Sequence, residues 1–249
     1  MSPTYKRVLR SALRNLRTRI KGGPAEGYKW SLPTRTRFLK GTYESQMANF
    51  VGDSLHSEDV FWDVGAHFGY YSLIAAKKLT AGRVYSYEPS SENLFYLRSH
   101  VKWNRLNHVT VIPSAMSEED GTAVFGGQGT GSGMIGGDGE EVTVRSIDSL
   151  IGSGDAVAPT FLKVDVEGQE ANVLRGAAEL LSTASATFVI STHGDEVHQE
   201  CIDILQTYSA YTLFHCFEES LILAIPPGRK INGPALFEGT PEKLMSTEL

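Results

Sequence analysis

Two cysteines, Cys201 and Cys216, are all the chain has for cross-linking. So small a number excludes a disulfide scaffold and gives no close metal-type spacing, so both are read as buried thiols. Long apolar runs are also missing: none approaches the roughly 18 residues that a membrane-spanning helix needs. The start is basic, with Lys6, Arg7 and Arg10, but no apolar stretch of the secretory-signal kind follows, and the expected location is cytoplasmic. Charged residues at 21% and hydrophobic ones at 41% exclude a disordered or fibrous chain, and 249 residues suffice for one large domain.

Charge is unevenly spread. Residues 1–40 hold eleven Lys and Arg against the single acid Glu26, a balance of +10. The whole chain is −6, so the remainder carries −16. This reads as a basic arm at 1–40 on an acidic body at 41–249. Within the arm, Val8, Leu9, Ala12, Leu13, Leu16 and Ile20 fall on one helical stripe with Arg7, Arg10, Arg14, Arg17 and Lys21 mostly opposite. The spacing predicts an amphipathic helix over 5–21, ended by Gly22, Gly23 and Pro24. Packing on the protein's own body or on a second subunit, which would give a homo-oligomer, is the favoured use of such a stripe. Contact with an anionic membrane surface or with nucleic acid competes with it, and the acidic body weighs against nucleic acid.

Helical spacing recurs from Tyr43 to Leu55, and then the pattern changes. Apolar runs at 60–64, 84–87, 109–112, 160–166 and 187–191 alternate with helical stretches at 70–79, 92–103, 171–181 and 196–208. Strand and helix in alternation predict an open α/β sandwich with a largely parallel sheet. Runs at 211–217 and 221–225 predict a closing hairpin. Between Thr122 and Val144 the rhythm fails: the glycine-dense stretch 126–139 reads as an excursion loop, either a lid over a site or a surface tip.

In open α/β sheets ligands sit at the carboxyl ends of strands. The first such end reads Asp63-Val64-Gly65-Ala66-His67-Phe68-Gly69, with Gly65 and Gly69 suited to a tight turn and close ligand approach. Glu88 follows the second strand, 23 positions beyond Gly65, where a carboxylate can accept ribose hydroxyls; its alternative use is to cap the next helix. His67 occupies the slot where a pyrophosphate needs a glycine, so a nucleoside without phosphates is favoured over NAD or FAD, and S-adenosylmethionine fits. Lys163, Asp165 and Glu167 alternate along the fourth strand and so share one face, a compensated charge cluster at the open edge or a structural one. His193, after the fifth strand, adds a group that titrates near neutrality.

With these pieces in order, the sequence resembles the FkbM family of S-adenosylmethionine-dependent methyltransferases. The resemblance runs from about Gly41 to Ile225 and rests on 61–72, Tyr87-Glu88-Pro89-Ser90-Ser91-Glu92-Asn93, Ser146-Ile147-Asp148-Ser149-Leu150 and 162–168, with Leu174-Arg175-Gly176-Ala177 following. It implies a Rossmann-like class I sandwich whose mostly parallel seven-stranded sheet has an antiparallel last strand. It also implies methyl transfer, usually to a hydroxyl of a sugar, glycoside or natural-product scaffold. By the resemblance, Asp63, Gly65 and Gly69 hold the methionine end of the cofactor, Glu88 the ribose, and Ser114 and Ala115 the adenine. His67, where family members often have asparagine, and Asp165 complete the candidate cofactor set.

Methyl transfer needs alignment and removal of a hydroxyl proton. The expected catalytic group is His193 as base, with Asp165 bordering the acceptor and Lys163 or Glu167 tuning the charge. A divalent metal on Asp165, His193 and Asp195 is an alternative way to activate the acceptor. RNA methylation through the basic arm, and cofactor or partner binding without catalysis, are the rival functions. The acceptor pocket is expected from 29–37, the 126–139 loop and the tail after Pro226.

Overall fold

Runs rich in Val, Ile and Phe, buried along nearly their whole length and so covered on both faces, form the centre of one sheet. The computed structural model describes residues 13–34, 36–126, 134–135, 139–216 and 218–231. The strands are β1 (Arg17–Arg19), β2 (Lys29–Ser31), β3 (Val60–Val64), β4 (Arg83–Tyr87), β5 (Val109–Ile112), β6 (Ala115–Met116), β7 (Gly121–Gly126), β8 (Met134–Ile135), β9 (Glu140–Arg145), β10 (Phe161–Val164), β11 (Thr187–Ser191), β12 (Thr212–Cys216) and β13 (Leu221–Ile225). The helices are α1 (Thr36–Lys40), α2 (Ser45–Ser54), α3 (Tyr70–Lys78), α4 (Ser91–Asn104), α5 (Ile147–Gly152), α6 (Glu170–Arg175), α7 (Ala178–Thr183) and α8 (Asp195–Gln206).

Seven strands make the main sheet in the order β12-β13-β11-β10-β3-β4-β5. β5, β4, β3, β10 and β11 are mutually parallel, and β13 runs antiparallel to both neighbours, β11 and β12. The expected sandwich, with its closing hairpin and antiparallel last strand, is what forms. Successive residues point to opposite faces, so Phe61 and Phe161 enter one core while Trp62, Leu162 and Val164 enter the other. β3 and β10 pair with Asp63 opposite Lys163, which brings two charged residues to one row near the carboxyl edge. Among the described residues, no helix is long and apolar enough to cross a membrane.

Four expectations need correction. Residues 17–19 are not helical: β1 pairs antiparallel with β2, and Ile20 is buried, because Thr18 and Ile20 alternate with Arg17 and Arg19 as a strand requires. The part of that expected helix over 5–12 lies outside the described residues. The excursion is a second sheet rather than a loop alone, ordered β6-β9-β7-β8; of 126–139, residues 127–133 and 136–138 lie outside the described residues. The expected helix over 171–181 is two, α6 and α7, broken at Gly176 and Ala177. A Cβ on Gly176 would stand 2.2 Å from the Ser117 carbonyl oxygen, and Gly176 O accepts from Asp148 N at 2.9 Å, so a distant segment fixes the break. Finally, Cys201 is buried as expected but Cys216 is half-buried.

The described residues between 13 and 40 pack into the body. Ile20, Ala25, Trp30 and Phe38 belong to the same core cluster as Phe61 and Leu73. Trp30 stacks on His100 of α4 at 3.8 Å between ring centroids, and Ser31 N donates to His100 Nε2 at 3.0 Å. Trp30 is therefore part of the core.

Candidate active site

The turn after β3 is shaped by backbone that L residues rarely adopt. Gly65 and Gly69 have φ of 80° and 85°, and His67 between them has φ of 50°. Asparagine, aspartate and histidine tolerate this region better than other side chains, which accounts for a histidine here. A Cβ on Gly65 would stand 1.9 Å from the Asp165 carbonyl oxygen, and one on Gly69 would stand 2.4 Å from Leu97 Cδ1. Both glycines thus serve close approach of the protein's own chain.

Glu88 reaches across from the end of β4 into this turn. Its Oε2 accepts from His67 N at 2.7 Å, and its Oε1 accepts from Ser90 N at 2.8 Å and Asn93 Nδ2 at 3.2 Å. It therefore braces two turns at once, while Ser90 itself caps α4 by accepting from Asn93 N. Only 4% of Glu88 is exposed, and burial pushes its carboxyl up to about 7 despite these three donors. A carboxylate has about four acceptor positions, so one remains for a ligand hydroxyl. Ser114, after the neighbouring strand β5, is buried, and its Oγ has no hydrogen-bond partner among the described residues; Ala115 beside it enters β6. Asp63 is wholly buried: Oδ2 accepts from Ser72 Oγ at 2.5 Å, and Oδ1 has no partner among the described residues. The sequence-predicted cofactor residues thus gather at the ends of β3, β4, β5 and β10, with acceptor capacity left on Glu88 and an unpartnered hydroxyl on Ser114, a set that suits a nucleoside.

A second group lies at the ends of β10 and β11. β10 ends at Val164 rather than continuing to Val166, and Glu167 takes φ of 55° in the following turn, so strand alternation does not place Glu167. The turn nevertheless returns it to the cluster. Lys163 is 2% exposed and donates to Asp165 Oδ2 at 2.7 Å, with its Nζ 4.7 Å from the Tyr71 ring centroid. Burial opposes its charge, but Asp165, Asp63 and Glu44 outweigh burial and hold the ammonium above its usual range. His193 Nε2 lies 3.6 Å from Asp165 Oδ1 and 3.4 Å from Glu167 Oε2. Its Nδ1 bonds to Glu170 Oε1 at 2.8 Å. This bond foremost, then Asp165 and Glu167, raise the imidazole above the usual histidine range, against the effect of burial.

Glu170 was not singled out from sequence. The signal available was its place two residues after Asp165-Val166-Glu167-Gly168, in the first turn of a helix, where an acid is also expected simply to complement the helix end.

A cavity of about 580 Å³ opens beside this group, lined in part by Glu44, Gln46, Asp165, Thr192, His193 and Glu219. Tyr71 OH donates to Glu44 Oε2 at 2.8 Å from beneath. The rest of the wall therefore comes from the start of α2 with the residues just before it and from the β12–β13 turn, not from 29–37. Among the described residues no group of three or more His, Cys, Asp or Glu side chains could hold a metal ion, which removes the set Asp165, His193 and Asp195.

Two blocks of the family resemblance turn out to hold the scaffold. Ser146 caps α5 by accepting from Ser149 N at 3.2 Å, and Asp148 accepts from Glu179 N and Leu180 N at the start of α7. Asp148 N in turn binds Gly176 O, so the two blocks fasten one another.

Comparison with known proteins agrees with this geometry. Residues 63–212, more than half of the chain, match the family model of the methyltransferase FkbM domain. The hexuronic acid methyltransferase AglP of Haloferax volcanii is 30% identical over 163 residues, a match that spans 63% of this chain and 64% of that protein. The crystal structure of methyltransferase FkbM from Methylobacillus flagellatus KT superposes with a TM-score of 0.50 at 22% identity, over 68% of this chain and 44% of that one. The matches thus leave more than a third of each relative uncovered. Sheet order, motif positions and family match converge, and the chain belongs to the FkbM methyltransferase family.

Proposed function

We propose that the protein transfers a methyl group from S-adenosylmethionine to a hydroxyl oxygen of a sugar or glycoside seated in the 580 Å³ cavity. The observation that carries this reading is His193, which lines the cavity together with Asp165 and whose Nε2 lies within 3.6 Å of Asp165 Oδ1 and 3.4 Å of Glu167 Oε2. Bound S-adenosylmethionine supplies an electrophilic methyl group on a sulfonium. Glu88, with its remaining acceptor position, and Ser114, with its unpartnered hydroxyl, hold the nucleoside; Asp63 and the Gly65–Gly69 turn shape the floor. His193 takes the acceptor's proton at Nε2 as the hydroxyl oxygen becomes nucleophilic. Lys163 keeps Asp165 in place and offsets part of the negative charge around the histidine. The likeness to an enzyme named for hexuronic acid supports a sugar as the acceptor.

The test begins with calorimetric titration of S-adenosylhomocysteine and continues with transfer of labelled methyl to a panel of hexoses, hexuronic acids and their glycosides. Binding that Glu88→Ala abolishes, with turnover lowered roughly hundredfold or more by His193→Ala at nearly unchanged cofactor affinity, is the expected result. A folded sample that binds no S-adenosylhomocysteine overturns the reading, and unaltered turnover in His193→Ala removes that residue from the chemistry.

A further inference from the structure

We infer that Glu170 is the positioning residue for His193, holding a hydrogen on Nδ1 so that Nε2 is the nitrogen presented to the acceptor. The inference rests on the function proposed above and assigns a role to a residue outside its catalytic and cofactor sets.

Glu170 is 0% exposed, and its carboxylate is held from several sides. Oε1 accepts from Val166 N at 3.1 Å, and both oxygens accept from Gly168 N at 3.1 Å. These amides belong to the turn in which Glu167 and Gly168 have φ of 55° and 95°, so the carboxylate is fixed by the turn that carries Asp165 and Glu167. An ionised carboxylate only accepts hydrogen bonds, so the 2.8 Å contact with His193 requires hydrogen on Nδ1. In the neutral ring the lone pair then lies on Nε2, the nitrogen that faces Asp165 and Glu167.

Bracing the turn does not by itself explain this arrangement. His193 comes from the end of a different strand, 23 residues away, and the turn amides would be satisfied without it. Glu170 therefore ties the β10 edge, with its two acids, to the β11 edge, with its histidine. The charged groups that face or surround His193 are Asp165, Glu167 and Glu170 from the turn after β10, Lys163 through Asp165, Glu44 and Glu219 across the cavity, and Asp195 at the start of α8. Removing one negative charge at 2.8 Å lowers the histidine's affinity for a proton, whereas removing a turn brace alone does not.

The deciding experiment is nitrogen-15 NMR of the full chain, with histidines labelled, across pH in the absence of any acceptor. In the unaltered protein the deprotonated His193 should carry its hydrogen on Nδ1; a hydrogen on Nε2 overturns the assignment, and this arm needs no variant to fold. In Glu170→Gln the His193 proton affinity should fall at least tenfold. Turnover should drop at least tenfold with KM and S-adenosylhomocysteine affinity within about threefold, and the acid limb of the kcat profile should move to lower pH. A titration of His193 unmoved in Glu170→Gln, or cofactor binding lost in step with turnover, leaves Glu170 as a turn brace and overturns the proposal. Whether the unaltered protein methylates a sugar is read separately, so failure of that reaction and failure of the Glu170 assignment give different results.

Discussion

Glu88 combines two demands that pull in opposite directions. Its carboxylate is wanted by the His67 amide, the Ser90 amide and the Asn93 side chain, yet burial raises it to about 7. The free protein therefore keeps a proton there over much of the range below neutrality. A ribose hydroxyl donates best to the charged form, so with Glu88 in the cofactor role proposed above, nucleoside binding below about pH 7 would expel that proton. Affinity for S-adenosylhomocysteine should thus climb as pH rises from 6 towards 7, by up to about tenfold per unit, and level off above. Calorimetry in buffers of different ionisation enthalpy measures the released proton directly, and Glu88→Gln, which has no proton to lose, should flatten the slope. An unchanged slope in that variant assigns the proton elsewhere, with His193 the next group in line. The placement of these residues was legible in the sequence: Asp63, Glu88, Lys163, Asp165 and His193 all stand at or just after strand ends, where side chains meet the open edge. Glu170 was not, because its partner His193 is joined to it only by folding.

At the scale of elements, the ends of β3 and β10 meet with no room to spare. Gly65 has φ of 80° and its missing Cβ would lie 1.9 Å from the Asp165 carbonyl, so Gly65→Ala must push the β3 turn off the end of β10. A loss of about 2 kcal/mol or more in urea unfolding is expected, with weaker S-adenosylhomocysteine binding; a change under about 0.5 kcal/mol would mean that the turn yields freely. Local pattern announced the parallel strands because each is a short, mostly apolar run bounded by turns or helical stretches. It misplaced elements wherever a partner remote in sequence decides the outcome. The break between α6 and α7 depends on Gly176 packing against Ser117, and the strand character of 17–19 depends on pairing with β2. The second sheet was hidden because β6 and β8 have two residues each, too short to show a period, and most of 126–139 is glycine.

Over the whole molecule, the described residues between 13 and 40 reach the site loop through His100 and through Phe38. His100 Nε2 accepts from Ser31 N, and its Nδ1 therefore donates to Phe68 O at 2.8 Å, inside the His67–Gly69 turn. Complete burial pushes the ring down to about 3, so it stays neutral and this pair of bonds persists across ordinary pH. Trp30 closes the stack from above, and Phe38 contacts the rings of Phe68 and Tyr70 from the side. Charge alone divides the sequence at residue 40, but burial does not respect that division. A piece comprising 41–249 would expose Phe68 and His100 and lose the buried Trp30 and Phe38, each worth about 3 kcal/mol or more. We expect such a piece to fail to give a cooperative thermal transition and to bind no S-adenosylhomocysteine, and Trp30→Ala in the full chain to lower both stability and cofactor affinity. Circular dichroism melting of the two proteins, with and without S-adenosylhomocysteine, decides the matter: a 41–249 piece that melts cooperatively and is stabilised by the nucleoside would make the basic segment an accessory to an independent domain.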